Sequence, residues 1–293
     1  MSKVWLITGS SRGIGRQLAE AVLANGQRLI ATARKPEQLS DFLEKYGDQV
    51  RTIALDVTDP MAARSAVHSA IEAFGRLDVV VNNAGYGNIV PIEDLTDEDL
   101  RAQMDTNFFG VVNVTRAAIP LLRAQRSGHI IQISSIGGRL GSPGLSAYQS
   151  AKWAVEGFSE VLAKEVRPLG IKVTIVEPGG FRTDWAGSSM QIAEIREEYK
   201  ATVGNHANHA RQSSGKQQGD PNKAAQAILQ IAQLTEPPLR LLLGSDAVYL
   251  AGIITAARSA EDEKWKSLSL STDFPGTPDV AERLGKLALI RNN

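Results

Sequence analysis

Short apolar, β-rich runs alternate along this chain with amphipathic stretches of helical period, and that rhythm restricts the fold more than any other feature. Val4–Ile7 reads as a buried strand, and the segment from about Gly13 to Ala24 as a helix ended by Asn25-Gly26. Leu29–Ala33, Val50–Leu55, Leu77–Val81, His129–Ser134, Ile171–Val176 and Leu239–Leu243 read as further strands. Between them, Val67, Ala70, Ile71 and Phe74 fall at helical spacing before Gly75. A long helix is expected from Asp97 to Arg126, and another carries Tyr148 to about Arg167. Near-continuous apolar runs such as Leu77–Val81 belong to strands covered on both faces. The expectation is a doubly wound parallel sheet with helices on both sides, a three-layer α/β fold.

A chain of 293 residues suffices for one large domain of this kind, so 1–293 reads as a single unit. After Pro178 the rhythm breaks into a polar stretch, 183–219, with helical potential around Gln191–Lys200. It follows the sixth strand, at the carboxyl ends where such sheets bind ligands, and reads as a lid over a substrate. Asp220-Pro221 looks like an N-cap followed by proline at the first helical position. Residues 244–293 read as an extension holding a helix, an acidic turn at Glu261-Asp262-Glu263 and an extended tail.

Lysine plus arginine and aspartate plus glutamate stand at 32 each, so nothing draws the chain to nucleic acid or an anionic membrane. With no cysteine there are no disulfides, thiolate metal sites or cysteine nucleophiles. The N-terminus lacks the long apolar region of a signal peptide, and no stretch approaches the roughly 20 apolar residues of a membrane span. A soluble cytoplasmic protein is expected.

Thr8-Gly9-Ser10-Ser11-Arg12-Gly13-Ile14-Gly15 follows a strand and opens a helix. Gly9 permits the tight turn, while Gly13 and Gly15 let backbone and helix N-terminus approach a pyrophosphate. A dinucleotide site is the natural reading. An acid at the end of the second strand would accept the ribose hydroxyls of NAD. Ala33-Arg34-Lys35 stands there instead, and with Arg12 it suits a 2′-phosphate, which favours NADP(H). Farther on, Tyr148-Gln-Ser-Ala-Lys152 places a phenol and an ammonium on one helix face. A neighbouring cation typically lowers a tyrosine pKa of about 10 by roughly 1–3 units, which would make proton exchange useful near neutral pH. No cluster of metal ligands is evident, and His206 and His209 read as a solvated pair.

Thr8–Gly15, Asn82-Asn-Ala-Gly85, Asn107, Ser135, Tyr148-x-x-x-Lys152 and Pro178-Gly179 together resemble the short-chain dehydrogenase/reductase family, from about Val4 to Leu243. Ala31-Thr-Ala-Arg34 and Glu177–Trp185 are similar to NADP-preferring members related to 17β-hydroxysteroid and retinol dehydrogenases. The resemblance implies a Rossmann fold, NADP(H) as cofactor, and pairing into homodimers or homotetramers. It implies that Tyr148 is the general acid of reduction and that Lys152 holds the nicotinamide ribose and lowers the tyrosine pKa. Ser135 would hydrogen-bond the substrate carbonyl, with Ser134 and Ser142 as competing candidates. Asn107 would anchor a water leading from Lys152 to solvent. Asp56, with Val57, would meet the adenine, and Asn82, Ala84 and Gly85 would line the adenosine ribose and support the central strand. Ser11 lies in the glycine turn, and Ile14 would offer an amide to the phosphates. Pro178, Gly179 and Thr183 would flank the nicotinamide.

The activity so implied is NADP(H)-dependent reduction of a ketone or aldehyde, or oxidation of a secondary alcohol. A nucleotide sensor on the same fold is the alternative, although a sensor has no need of all four of Asn107, Ser135, Tyr148 and Lys152. An epimerase or dehydratase would call for a larger substrate portion after Pro178.

Overall fold

The computed structural model describes residues 2–186, 190–276 and 280. They fall into two units, Met1–Ala251 and Gly252–Asn293. In chain order the elements are β1 (Val4–Ile7), α1 (Gly13–Ala24), β2 (Arg28–Ala33), α2 (Ser40–Tyr46), β3 (Val50–Ala54), α3 (Pro60–Phe74), β4 (Val79–Asn82) and β5 (Gly87–Ile89). Then come α4 (Asp97–Met104), α5 (Gly110–Gln125), β6 (Gly128–Ile133), α6 (Ser146–Val166), β7 (Ile171–Pro178) and β8 (Met190–Ile192). The chain continues with α7 (Asn205–Ser213), α8 (Pro221–Ile231), β9 (Arg240–Leu243) and α9 (Ser245–Leu270).

Seven strands form one parallel sheet in the order β3-β2-β1-β4-β6-β7-β9. Period-two alternation builds a core on each side of it. Trp5, Ile7, Leu29, Ala31, Val79, Val81 and Ile131 face α1 and α8, whereas Val4, Leu6, Ile30, Val80 and Ile130 face α3 and α5. Two apolar faces demand two helical layers, which is the doubly wound α/β arrangement. From β1 the sheet runs outward to β2 and β3, and from β4 it runs the other way, so the β1–β4 boundary is where strand order reverses.

Three expectations need correction. The helix expected from Asp97 to Arg126 is α4 and α5 joined by a π-helical turn, Asp105–Phe109. The cause is tertiary: at that turn Asn107 bonds to the backbone of Tyr86 at both its amide atoms. The segment Gln191–Lys200 holds β8 and a 3₁₀ turn at Glu197–Tyr199, and the α-helix begins only at Asn205. Glu261-Asp262-Glu263 is no turn but lies within α9, where Glu261 accepts from Trp265 Nε1 at 3.2 Å and Glu263 pairs with Lys266. Of the expected tail, residues 277–279 and 281–293 lie outside the described residues.

The small second sheet pairs β5 with β8 in parallel, Gly87 opposite Met190 and Ile89 opposite Ile192, and ties the start of the 183–219 insertion to the end of β4. Among the described residues no helix is long and apolar enough to cross a membrane. The second unit, from Gly252, continues α9 with Trp265, Leu268 and Leu270 exposed.

Asn82, at the end of β4, is 2% exposed and donates to Thr115 Oγ1 at 3.0 Å and to Gln132 Oε1 at 2.8 Å. Its amide is thus taken up by the interior between β4, β6 and α5. Removing it strands two buried partners, which costs about 1–3 kcal/mol. Asn82→Ala is therefore expected to lower the urea-unfolding free energy by roughly that amount, and an unchanged midpoint and slope would contradict this.

Candidate active site

The glycine turn and the loop after β4 are fastened to each other at the strand-order reversal. Thr8 Oγ1 accepts from the backbone amides of Asn83 and Ala84 at 2.9 and 3.0 Å. Asn83 Nδ2 donates to the carbonyls of Thr8 at 2.9 Å and Gly9 at 3.1 Å. The Asn82–Gly85 motif contains Asn83 but implies no role for it, although strand parity marks one: Asn82 shares the parity of Val80 and turns inward, which turns Asn83 toward the glycines. Gly9 and Gly13 both have left-handed backbone, φ 67° and 60°. A Cβ on Gly15 would run into the Asn83 amide, so the helix starts hard against the turn.

This cradle fits a dinucleotide. Gly13 faces Thr183, whose methyl lies 3.7 Å from where a Cβ would sit, so the glycine turn and the post-β7 segment meet there. Ile14 packs beside the first core, and Ser11 is half-buried at the mouth. Arg12 precedes α1 at the N-cap position, where its side chain makes no capping bond, and Arg34 follows β2; both are exposed, and neither pairs with a carboxylate among the described residues. Asp56 is exposed just beyond β3, where its Oδ1 accepts from Thr58 N and Oγ1 at 3.0 and 2.8 Å, and Val57 beside it is buried. Gly179 N donates to Leu243 O at 2.8 Å, which fixes the Pro178-Gly179 corner, and Gly180 N donates to Asp246 Oδ2 at 2.6 Å.

Tyr148 and Lys152 lie on the inward face of α6, 7% and 4% exposed. Of the three serines, Ser135 is the one whose hydroxyl lies near enough to the Tyr148 phenol to lower its pKa. It also accepts from Gly137 N at 3.0 Å, which holds the turn after β6. Ser134 is buried on the other side of that turn, near Glu156, and Ser142 is engaged with Gln149. Asn107 is fully buried; its Oδ1 accepts from Tyr86 N at 3.1 Å and its Nδ2 donates to Tyr86 O at 2.9 Å. Around Gly85 the space is shared by Asn107 Oδ1 and Lys152 Nζ, 2.6 and 3.8 Å from the position of a Cβ.

The expected depression of the tyrosine pKa is not found. Burial pushes Tyr148 up to about 12, and the nearby Ser135 hydroxyl offsets only part of that rise. The reason is positional: Lys152 Nζ donates to Ile133 O at 2.8 Å and lies 5.7 Å from the tyrosine ring centroid. Burial lowers Lys152 to about 8, against a pull upward from Glu156. Tyr148 is accordingly a phenol, a proton donor, beside an ammonium that titrates near physiological pH.

Above the phenol lies an apolar roof. The Trp185 ring is 5.2 Å from that of Tyr148, and Ile89, Leu145, Met190 and Val203 complete the cluster. A Cβ on Gly87 would lie 3.4, 3.5 and 3.6 Å from Trp185, Met190 and Tyr148. Gly87 thus lies against all three side chains, at distances where a Cβ would make ordinary contact.

Comparison with known proteins agrees with this geometry. The oxidoreductase BOA17 of Botryotinia fuckeliana is 56% identical over 93% of this chain and all of that protein. A crystal structure of a short-chain dehydrogenase from Streptomyces avermitilis matches with a TM-score of 0.86 at 43% identity, over 94% of this chain and 100% of that one. One from Burkholderia cenocepacia, solved in complex with NADP, matches with a TM-score of 0.70 at 26% identity, over 90% and 97% of the two chains. The family model described as short chain dehydrogenase matches residues 3–193, and the chain belongs to that family of oxidoreductases.

Proposed function

We propose that the protein is an NADP(H)-dependent carbonyl reductase, or alcohol dehydrogenase in the reverse direction, acting on ketones, aldehydes or secondary alcohols with an apolar substituent. The observation that carries this reading is the placing of the Ser135 hydroxyl near the Tyr148 phenol, close enough to lower its pKa, with the Lys152 ammonium on the same face of α6 held on Ile133 O. Two hydroxyls there can converge on one oxygen, which is what a carbonyl needs as negative charge develops on it. When bound, NADPH would supply the hydride.

The chain's own residues handle the proton. Tyr148, kept protonated by burial, donates to the carbonyl oxygen while Ser135 orients it. Lys152 compensates the phenolate left behind, so its charge is required in reduction. Arg12 and Arg34 bind the 2′-phosphate, which their lack of carboxylate partners leaves them free to do. Trp185 and Met190 select an apolar substituent. The NADP preference is that of the members related to 17β-hydroxysteroid and retinol dehydrogenases. Pairing of copies would use the outer faces of α5 and α6; Trp153 and Val161 of α6 are exposed, as is Phe109 in the turn before α5.

The test is loss of nicotinamide absorbance with NADPH and a panel of carbonyl compounds. Tyr148→Phe should lower kcat/KM by about 10²–10⁴-fold without weakening NADPH binding; full activity in that variant would overturn the reading. For the wild type, kcat/KM for reduction should be flat below pH about 8 and fall tenfold per unit above it, as Lys152 loses its proton. A rate that climbs through that range would contradict the assigned role. Arg34→Ala should weaken NADPH by about ten- to a hundredfold and leave NADH nearly unchanged. Equal losses would remove the phosphate assignment.

A further inference from the structure

A second set of buried charges lies directly behind the phenol and the ammonium. Tyr148, Lys152 and Glu156 are spaced by four along α6, so Glu156 occupies the next turn of the same inward face. It is 6% exposed. Glu177, just before Pro178 on β7, is fully buried and grips Arg139 in a fork, with Nε–Oε1 and Nη2–Oε2 both 2.6 Å. From β9, Arg240 Nη2 reaches Glu156 Oε2 at 3.2 Å and Glu160 Oε2 at 3.3 Å, and its Nε is 3.8 Å from Glu177 Oε1. The turn after Ser135 is moulded onto this group: a Cβ on Gly138 would lie 2.9 Å from Glu156 Cγ, 3.0 Å from its Oε1 and 2.9 Å from Ser134 Oγ.

The two carboxylates are not equally well provided for. Glu177 has both oxygens in short charge-assisted hydrogen bonds. Neither oxygen of Glu156 is in a hydrogen bond of proper geometry; Ser134 lies close by, and Arg240 holds the carboxylate through charge. A buried carboxylate so placed costs several kcal/mol of desolvation, and an apolar side chain of similar volume would pack there more cheaply. Packing does not account for the acid. One turn back along α6 stands Lys152, which is in no ion pair among the described residues and whose ammonium hydrogen-bonds the neutral carbonyl of Ile133.

We propose that Glu156 is a positioning residue for the reaction: its buried carboxylate, one turn beyond Lys152, keeps that ammonium charged inside the protein. The charged groups that face Glu156 are Lys152 and Glu160 from α6, Arg240 from β9, Glu177 from β7 and Arg139 from the turn after β6. Burial raises Glu156 itself to about 7, with Glu177 adding to the rise and Ser134 and Arg240 opposing it. The acid therefore carries its charge from about pH 7 upward, which is the range in which Lys152 begins to lose its own. Loss of a neighbouring anion disfavours the ammonium, so the sign is fixed: without Glu156, Lys152 titrates lower.

The kinetic consequence rests on the reductase reading above, but the titration does not. Full-length protein with isotope-labelled lysine is titrated by NMR, with the Lys152 signal assigned by its disappearance in Lys152→Met. The wild-type midpoint is expected at about 8, and Glu156→Gln should bring it down by roughly one unit. Glu156→Asp, which keeps the charge, should restore most of the difference. In the wild type that reduces a panel compound, the alkaline limb of kcat/KM should move with the midpoint. If Glu156→Gln does not fold, Glu156→Leu carries the same expectation, since it removes charge and desolvation cost together. One Lys152 midpoint shared by wild type and the uncharged variants would overturn the proposal, whatever the protein turns over. A lowered midpoint in a protein that reduces no carbonyl would sink the reductase reading and leave the electrostatic link standing.

Discussion

The fold turns on the point where the sheet reverses its strand order, between β1 and β4. Loops leaving these neighbouring strands are fastened to each other by a few hydrogen bonds. Thr8 and Asn83 supply those bonds, one through a hydroxyl that accepts two amides and the other through an amide that donates to two carbonyls. Because Asn83 fills the space a Cβ on Gly15 would need, α1 can begin only where it does. Everything placed on the carboxyl ends of β6 and β7 is positioned relative to that fixed corner.

Electrostatics then divides the labour on α6. Burial favours whichever form of a group is neutral, so it pushes a phenol and an ammonium in opposite directions. Tyr148 is held as an acid and Lys152 is brought near the pH at which it loses its charge. Such divergent environments are how two groups a turn apart acquire different roles. Behind them the chain buries two glutamates against two arginines. Such an arrangement is costly for stability alone and intelligible as a means of setting the charge in front of it.

Much of this was legible from residue patterns. Val4–Ile7, the helix from Gly13 to Ala24 and the Asp220-Pro221 start of α8 depend on local chemistry, and local chemistry fixed them. Asp220 does accept from Asn222 N at 2.8 Å as a cap should. What escaped depends on partners distant in sequence. The three-residue strands β5 and β8 exist only through each other, across a hundred residues of chain. The π turn at Asn107 follows from a bond to Tyr86, and the acidic run at Glu261 joins α9 because its partners sit three and four residues on. The tyrosine pKa departs from the expectation because the i, i+4 spacing shows proximity of two backbones but neither the burial of the hydroxyl nor the carbonyl that captures the ammonium.

The central claim is that a proton from Tyr148 and a hydride from a bound nicotinamide reach the two ends of one carbonyl. The most direct measurement uses NADPH deuterated at the reactive ring carbon, with a ketone that the protein reduces, and locates the label in the product. The account predicts deuterium from one face of the nicotinamide only, carried to the carbinol carbon in a single configuration, with the hydroxyl proton drawn from solvent. Deuterium lost to water, or a product carbon that takes its hydrogen from solvent, would contradict it.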